Sequence, residues 1–563
     1  MVKAKIDPLR LEVLKNAFIS ITEEISATVQ RSAYSTNIKT RKDFSCALCD
    51  KKLRIIAQSF SQPAHLGVLV GLIPCAVESY GVENLQEGDV LVVNDPYHRS
   101  SHLNDIALIS PVFHEGELFG YMANIAHHVD VGGGAPASIS ISRELYQEGI
   151  ILPPVKLFEK GELNQDLFRF LVRNVRAKRE VSGDIRAQMA GNRAGIQRMK
   201  ELLTKYGKQT LSIYIEELMN YTERRTRQEF QQFPHGEYFG EDFLDDDGFT
   251  DQPIRICVKV MIDKKGITLD FDGTDPQRRS PMNATMAFTF TGVSQVLKSL
   301  ISDDVPVNDG FYRCINIKAP LGSVVNATEP SGVVGGYEVG MRVISALWKA
   351  FAQAVPEKIM AGSKGAICHA GFGGYDPVRK ESYAFLETIG GGIGGRKGKD
   401  GIDGCQADLS NTENAPVEET EMNYPVRIVR YELIPDSGGA GQFRGGMGIR
   451  RDYQFPYEKT IFTILSDRAK FPPWGIFGGR DAVPSKYFRE KDGRVTPLKS
   501  KCTFEVEPGE VISFQTAGGG GYGDPKLRSP GAIQKDVLNG KISRERAKID
   551  YGFMVEDKKE TEI

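Results

Sequence analysis

The chain has no excess of charge of either sign: 71 lysines and arginines stand against 73 aspartates and glutamates, a net charge of −2 over 563 residues. So close a balance supplies no field for a polyanion, which excludes nucleic acid and an anionic membrane as default partners. There is no apolar run of the roughly 18 residues needed to span a bilayer, and the opening MVKAKIDPLRLEVLKNAF lacks the apolar core of a signal peptide. The expectation is a cytoplasmic protein whose eight scattered cysteines stay as buried thiols rather than disulfides. Cys46 and Cys49, the one close pair, lie in DFSCALCD. Strand alternation turns positions three apart to opposite faces, which argues against a zinc or redox pair. No GxxxxGK[ST] phosphate loop and no repeat of solenoid length occur.

Glycine is scarce in the first 230 residues and then abundant. Of the 59 in the chain, many cluster beyond residue 330, in GVVGGYEVG, GGGIGGRKGKDGIDG, DSGGAGQFRGGMG and TAGGGGYGD. That shift predicts two regions of different architecture, and the length demands more than one core. In the first region Leu11, Leu14, Phe18, Ile21, Ile25 and Val29 recur at three- and four-residue steps, which predicts an opening helix from Asp7 to about Ser35. Residues 43–126 read as short strands, and residues 164–233 as two or three long helices. Beyond Phe233, strand-like segments such as IRICVKVMI, GITLDFDG and KTIFTIL alternate with the glycine loops, interrupted by one helix at about Gly340 to Val355.

The predicted fold class is α+β: a mixed sheet with long helices in the N-terminal part, and a mainly β, glycine-rich C-terminal part. Domains are placed at 1–235 (the metal-site part), 236–526 (the glycine-loop part) and 527–563 (a short helical tail with a charged end). The glycine loops are expected as turns between strands or as a surface for a partner, since no capped helix follows TAGGGGYGDP to make it a phosphate cradle.

Histidine is rarer still. Eight occur, and six of them (His65, His98, His102, His114, His127 and His128) fall within 64 residues. In SHLND, His102 and Asp105 are three apart, a spacing that a turn can converge on one ion, and His127 or His128 can reach the same point from a strand end. Imidazole and carboxylate suit Zn, Mn or Fe and leave a position for water. A histidine beside a strand is more commonly a capping or core-edge residue, so spacing alone does not decide the matter. Of the adjacent pair, strand geometry lets only one face the ion. The following VDVGGGAPAS offers the bare amides of Gly132, Gly133 and Gly134 to an anionic oxygen, or is a flexible loop.

Eight segments in order carry a resemblance: RKDFSCAL, QPAHLGVL, GDVLVVNDPYHRSSHLNDIALISPVF, NIAHHVDVGGGAP, NVRAKREVSGDIRAQMAGNRAG, DSGGAGQFRGGMGIRRDY, DRAKFPPWGIFGG and TAGGGGYGDP. Together they resemble the hydantoinase B family from about residue 7 to 526. That family takes in the B-type subunit of N-methylhydantoinase, the C-terminal part of 5-oxoprolinase, a caprolactamase subunit, and subunits of acetone and acetophenone carboxylases. The resemblance implies an A-type partner with an actin-like ATPase fold that uses ATP to phosphorylate the substrate oxygen. The B-type chain then completes the reaction at a divalent metal. It also implies that the ligands are His102, Asp105 and His127, with Asp43 as a fourth.

Around these ligands we expect His128 or Asp130 to relay a proton, and Gly132, Gly133, Gly134, Arg99 and His65 to face the substrate. The expected activity is ATP-dependent hydrolysis of a small cyclic amide (a hydantoin, 5-oxoproline or a lactam) in a hetero-oligomer. Ketone carboxylation and a non-catalytic scaffold are the alternatives. The chain departs from the family pattern after NDPY, where it carries His98, Arg99, Ser100 and Ser101 in place of a glycine pair, and in the Gly332–Arg342 loop, which carries Tyr337 and Glu338.

Overall fold

A computed structural model describes residues 6–59 and 62–554; the charged end expected for the tail lies outside them. The opening helix, α1 (Pro8–Ser32), starts where the Asp7 carboxylate accepts from Leu9 N and Pro8 presets the first turn. Its buried stripe is Leu14, Phe18, Ile21, Ile25 and Val29. With the long helices α3 (Lys178–Tyr206) and α4 (Lys208–Phe230), it covers one face of a seven-stranded sheet. The strands are β1 (Phe44–Asp50), β2 (Ile55–Gln58), β3 (Val90–Val93), β4 (Asp105–His114), β5 (Glu117–His127), β6 (Val155–Glu159) and β7 (Glu162–Leu163), in the order β2-β1-β5-β4-β3-β6-β7. Every neighbouring pair in this sheet is antiparallel. The opposite face is covered by α2 (Pro63–Tyr80).

Residues 43–126 are therefore not strands throughout. Within them PAHLGVLVGLIPCAVESY is helix α2, apolar on most sides because it is packed between the sheet and another helix. By length and apolarity alone α2 is one helix among the described residues that matches a membrane span. Half of it is buried inside the protein, which is what a core helix shows. Cys46 and Cys49 fall on opposite sides of β1, the first among the α1 side chains and the second among those of α2.

After α4 a second sheet follows: β8 (Gly236–Leu244), β9 (Ile254–Asp263), β10 (Gly266–Asp270) and β11 (Ile315–Lys318), in the order β11-β10-β9-β8. Its β10–β11 pairing is the one parallel pair among the named strands, so the mixed sheet belongs to this half. Two helices serve it, α5 (Met286–Leu300) and α6 (Gly336–Ala354). Only the second is expected from the sequence, because MAFTFTGVSQVLKSL is rich in the aromatic and β-branched residues that favour strands. Two further sheets complete the fold. One runs β13-β12-β16-β19, built from β12 (His369–Asp376), β13 (Glu381–Thr388), β16 (Thr460–Leu465) and β19 (Lys501–Val506). The other is five-stranded and begins with β14 (Arg427–Leu433) and β15 (Ile449–Gln454). One apolar core takes Ala64, Ala137 and Ile139 from the first part together with Ile256, Val258, Leu347 and Leu465 from the second.

The glycine segments are largely interior, although residues 396–400 of the second, GGGIGGRKGKDGIDG, are exposed. Gly446 N donates to Ile393 O, Gly519 N to Gly446 O, Gly439 N to Gly519 O and Gly395 N to Gly520 O, each within 2.9 Å. Neighbouring segments thus satisfy one another backbone to backbone, and side chains are excluded from between them.

Candidate active site

Three adjacent strands of the first sheet end at one point. The register sets Asp105, the first residue of β4, directly opposite His127, the last of β5. On the other side of β5, His127 N donates to the backbone oxygen of Asp43, which immediately precedes β1 (3.0 Å). The SHLND turn closes with Asp105 N on His102 O (3.1 Å), which swings His102 back over Asp105. His65 arrives from the first turn of α2. From the C-terminal half, the start of α6 contributes Tyr337 and the start of β12 contributes His369. All seven residues are buried, none more than 4 % exposed.

His102, Asp105 and His127 offer one donor atom each, and these lie within 4.8 Å of one another. His102 Nε2 is 3.2 Å from His127 Nδ1 and 3.2 Å from an Asp105 oxygen, and His127 Nδ1 is 3.1 Å from the other. Two donors about 2.0–2.2 Å from one ion stand roughly 3 Å apart, so this spacing suits a shared cation. The second nitrogen of each imidazole, His102 Nδ1 and His127 Nε2, is buried without a hydrogen-bond partner. The donor set thus fits a borderline metal such as Zn, Mn or Fe.

Around these donors, His65 Nε2 is 3.2 Å from Asp105 and 3.1 Å from the Tyr337 hydroxyl, and Ser101 donates to Asp105. Asp43 sits at the edge, 3.9 Å from His65 Nε2, with one oxygen accepting from Gln62 Nε2 at 3.1 Å. Arg41 ties this edge to the other half: its buried guanidinium donates to Leu386 O at 2.9 Å and Thr388 Oγ1 at 2.6 Å.

Burial alone would raise the Asp105 carboxyl, but His102 and His65 outweigh it, and the group stays well below the usual carboxylate range. Burial, partly offset by Asp105, lowers His127, which favours the neutral imidazole a metal requires. Non-glycine residues in the left-handed region immediately precede two of the site side chains, Lys42 (φ 59°) before Asp43 and Cys368 (φ 60°) before His369. Such strain persists where the surroundings over-determine it, as they do at functional sites.

Other expected residues are placed elsewhere. His128 points to the opposite face, where Nε2 meets Gln188 Oε1 of α3 at 2.9 Å. Asp130 is held by Arg176, which donates to it from its backbone (2.6 Å) and its guanidinium (3.0 Å). Neither side chain contacts the donor group directly; His128 is engaged by Gln188 and Asp130 by Arg176. The glycines are not a free amide cradle: Gly132 N bonds Asp130, Gly134 N donates to Gln147 O at 2.9 Å, and the Gly132 and Gly133 carbonyls accept from Arg176. Gly133 and Gly134 line a separate cleft of about 690 Å³ with Ser140, Tyr146 and Lys501. Arg99 is exposed, in the left-handed region (φ 66°), and opens into a cavity of about 410 Å³ beside Tyr97, Thr285 and Glu329. Only His65 of the expected substrate face contacts the donor group.

Sequence reasoning misses His369, a lone histidine in GAICHAGFGG far from the others, for which no spacing signal exists. Tyr337 and Glu338 stand out by position, and both act here. Glu338 accepts from Ile367 N (3.0 Å) and Cys368 N (3.3 Å), which fixes the backbone leading into His369. Its second oxygen is buried and unpartnered.

Burial and Asp467 push Glu338 from 4.5 up to about 7. A carboxyl raised on folding stabilises fully below its unfolded pKa and loses that contribution as pH climbs to about 7, a difference worth roughly 3 kcal/mol at most. Glu338→Gln keeps the accepting oxygen and removes the ionisation. It should melt close to the parent at pH 5 and clearly above it at pH 8; an equal gain at both pH values would contradict this account.

The hydantoinase B/oxoprolinase family model matches residues 7–525. A Pseudomonas protein provisionally named as the B component of a D-/L-hydantoinase is 34 % identical over 99 % of this chain and 96 % of its own length. The beta chain of the Pseudomonas jessenii caprolactamase is 31 % identical over 98 % of this chain and 97 % of its own length. The crystal structure of the ATP-dependent caprolactamase from that organism superposes with a TM-score of 0.92 at 29 % identity, covering 98 % of this chain and 97 % of that one. 5-oxoprolinase 1 of Arabidopsis thaliana is 32 % identical over 92 % of this chain, which spans 42 % of that longer protein.

Proposed function

The chain belongs to the hydantoinase B/oxoprolinase family, and on that premise we propose that it is the metal-binding hydrolytic subunit of an ATP-dependent cyclic-amide hydrolase. It works in the cytoplasm with a separate A-type ATPase subunit. The observation that supports this most is the convergence of His102, Asp105 and His127 at the shared end of β4 and β5. These three hold a divalent ion, with Asp43 as the fourth candidate.

A cyclic amide resists water because the nitrogen lone pair is delocalised into the carbonyl. Phosphorylation of the carbonyl oxygen by the partner removes that delocalisation and creates a leaving group. When bound, the ion supplies Lewis acidity that brings water ionisation towards neutral pH. The residues of this chain do the rest. Asp105, kept ionised by His102 and His65, is a fixed negative charge beside the reacting atoms. Tyr337 and Ser101 hold the second contacts of that carboxylate and its histidine, an outer layer of the kind that orients ligands. Burial by α6 and β12 keeps bulk water out.

The test is co-expression with the A-type ATPase and assay against hydantoin, 5-oxoproline, caprolactam and acetone, with and without bicarbonate. Ring opening coupled to ADP formation is expected without bicarbonate. Dialysis against a chelator should remove it, and one of Zn, Mn or Fe(II) should restore it. A bicarbonate requirement with carbon–carbon bond formation would transfer the chain to ketone carboxylation. Turnover indifferent to chelation would sink the metal assignment.

A further inference from the structure

His369 has no part in the chemistry so far, yet the fold goes to some length to present it. It opens β12, paired across to Thr388 on one side and Leu465 on the other, and is 2 % exposed. Its Nδ1 is buried with no hydrogen-bond partner. A buried polar atom left unsatisfied in this way is costly and uncommon, and a waiting ligand is one of the few reasons to keep it. The residue before it sits in the left-handed region (Cys368, φ 60°), and that strained peptide is clamped by the Glu338 carboxylate.

The ring lies beside the described centre, near enough for His127 and His102 to act on it electrostatically. Its centroid is 6.2 Å from that of Tyr337, whose ring in turn stands edge-on to His102 at 5.3 Å. It is apart from the three donors that gather within 4.8 Å of one another. Burial, followed by His127 and His102, holds His369 neutral. A neutral imidazole carries one donor and one acceptor.

We propose that His369 is the substrate-recognition residue of the centre and hydrogen-bonds the ring nitrogen of the cyclic amide. This rests on the hydrolase reading above. The amide nitrogen bears a hydrogen before activation, and phosphorylation of the carbonyl oxygen with loss of that proton to solvent leaves it a lone pair; neutral imidazole, through its two tautomers, can serve either state. The N-terminal half then holds the ion, while the C-terminal half reads the substrate.

The experiment uses the complex with the ATPase partner, carrying His369→Ala, His369→Gln or His369→Asn. Metal content and melting temperature should match the parent in all three. His369→Ala should raise KM for the cyclic amide at least tenfold, and one of the two amide variants should recover part of the loss. Loss of metal in His369→Ala, or a KM within twofold of the parent, overturns the assignment. Should the parent complex open no cyclic amide, the hydrolase reading fails on its own. The assignment is then decided by calorimetric titration of hydantoin and caprolactam into the metal-loaded chain. Binding weakened tenfold by His369→Ala sustains it, and absence of binding to the parent chain overturns it.

Discussion

His102→Ala and Asp105→Asn yield a folded chain that retains no stoichiometric divalent metal and, in complex with the ATPase, turns over more than about 100-fold slower than the parent. That threshold is the upper end of what outer contacts of a metal site cost, typically 10–100-fold. Tyr337→Phe, which removes only the hydroxyl on His65, should fall inside that range and keep its metal. The distinction has a geometric basis. His102 and Asp105 are two of three donors with mutual separations of 3.1–3.2 Å, and losing either leaves too few ligands for a stable site. Metal analysis of the purified variants beside their rates decides the question. Full metal content in Asp105→Asn would mean that the ion is held elsewhere.

Gly445→Ala and Gly519→Ala should each cost more than about 3 kcal/mol, because overpacking against backbone has no side chain to move aside. A Cβ at Gly445 would stand 1.8 Å from Gly519 O, and one at Gly519 would stand 2.1 Å from Ile393 O. Both contacts are with carbonyl oxygens of the stacked segments, which are themselves hydrogen-bonded into the layer. Gly531→Ala is the control: the added carbon meets nothing within 4 Å, and in a helix alanine should stabilise by up to about 1 kcal/mol. Chemical denaturation of the three variants separates them. Near-neutral midpoints for Gly445→Ala would show that the layer can part.

How far the sequence discloses this arrangement depends on whether a signal is local. The stripe of Leu14, Phe18, Ile21, Ile25 and Val29 is a helical period and yields α1 directly. The histidines near residue 102 and residue 127 are legible because they crowd into one short stretch of a chain that holds only eight, and the β4–β5 hairpin brings them together at short sequence distance. α2 escapes detection because it is buried on several sides, which erases its period, and it carries a proline inside (Pro74). α5 escapes because tertiary packing overrides the strand preference of its threonines and phenylalanines. His128 and Asp130 look like site residues by adjacency, yet one strand step turns His128 towards Gln188, and Arg176 captures Asp130. His369 is invisible from the sequence for a different reason: the donors it lies beside are more than 200 residues away. The glycine loops read as turns because glycine usually marks them, whereas here its absent side chain is what lets backbones stack.

The order of the site residues along the polypeptide also sets an order in time. Asp43, His65, His102, Asp105 and His127 have all left the ribosome long before Tyr337 and His369 are made. At roughly 5–20 residues per second the interval is on the order of ten seconds or more. During biosynthesis a cation can reach these donors from open water, while in the finished protein it must wait for two halves that share one core to separate. An ion proposed for these donors would therefore reach the newborn chain quickly and exchange with the finished protein only slowly, at the pace of a breathing motion, which sets the time that chelator and replacement metal need to act.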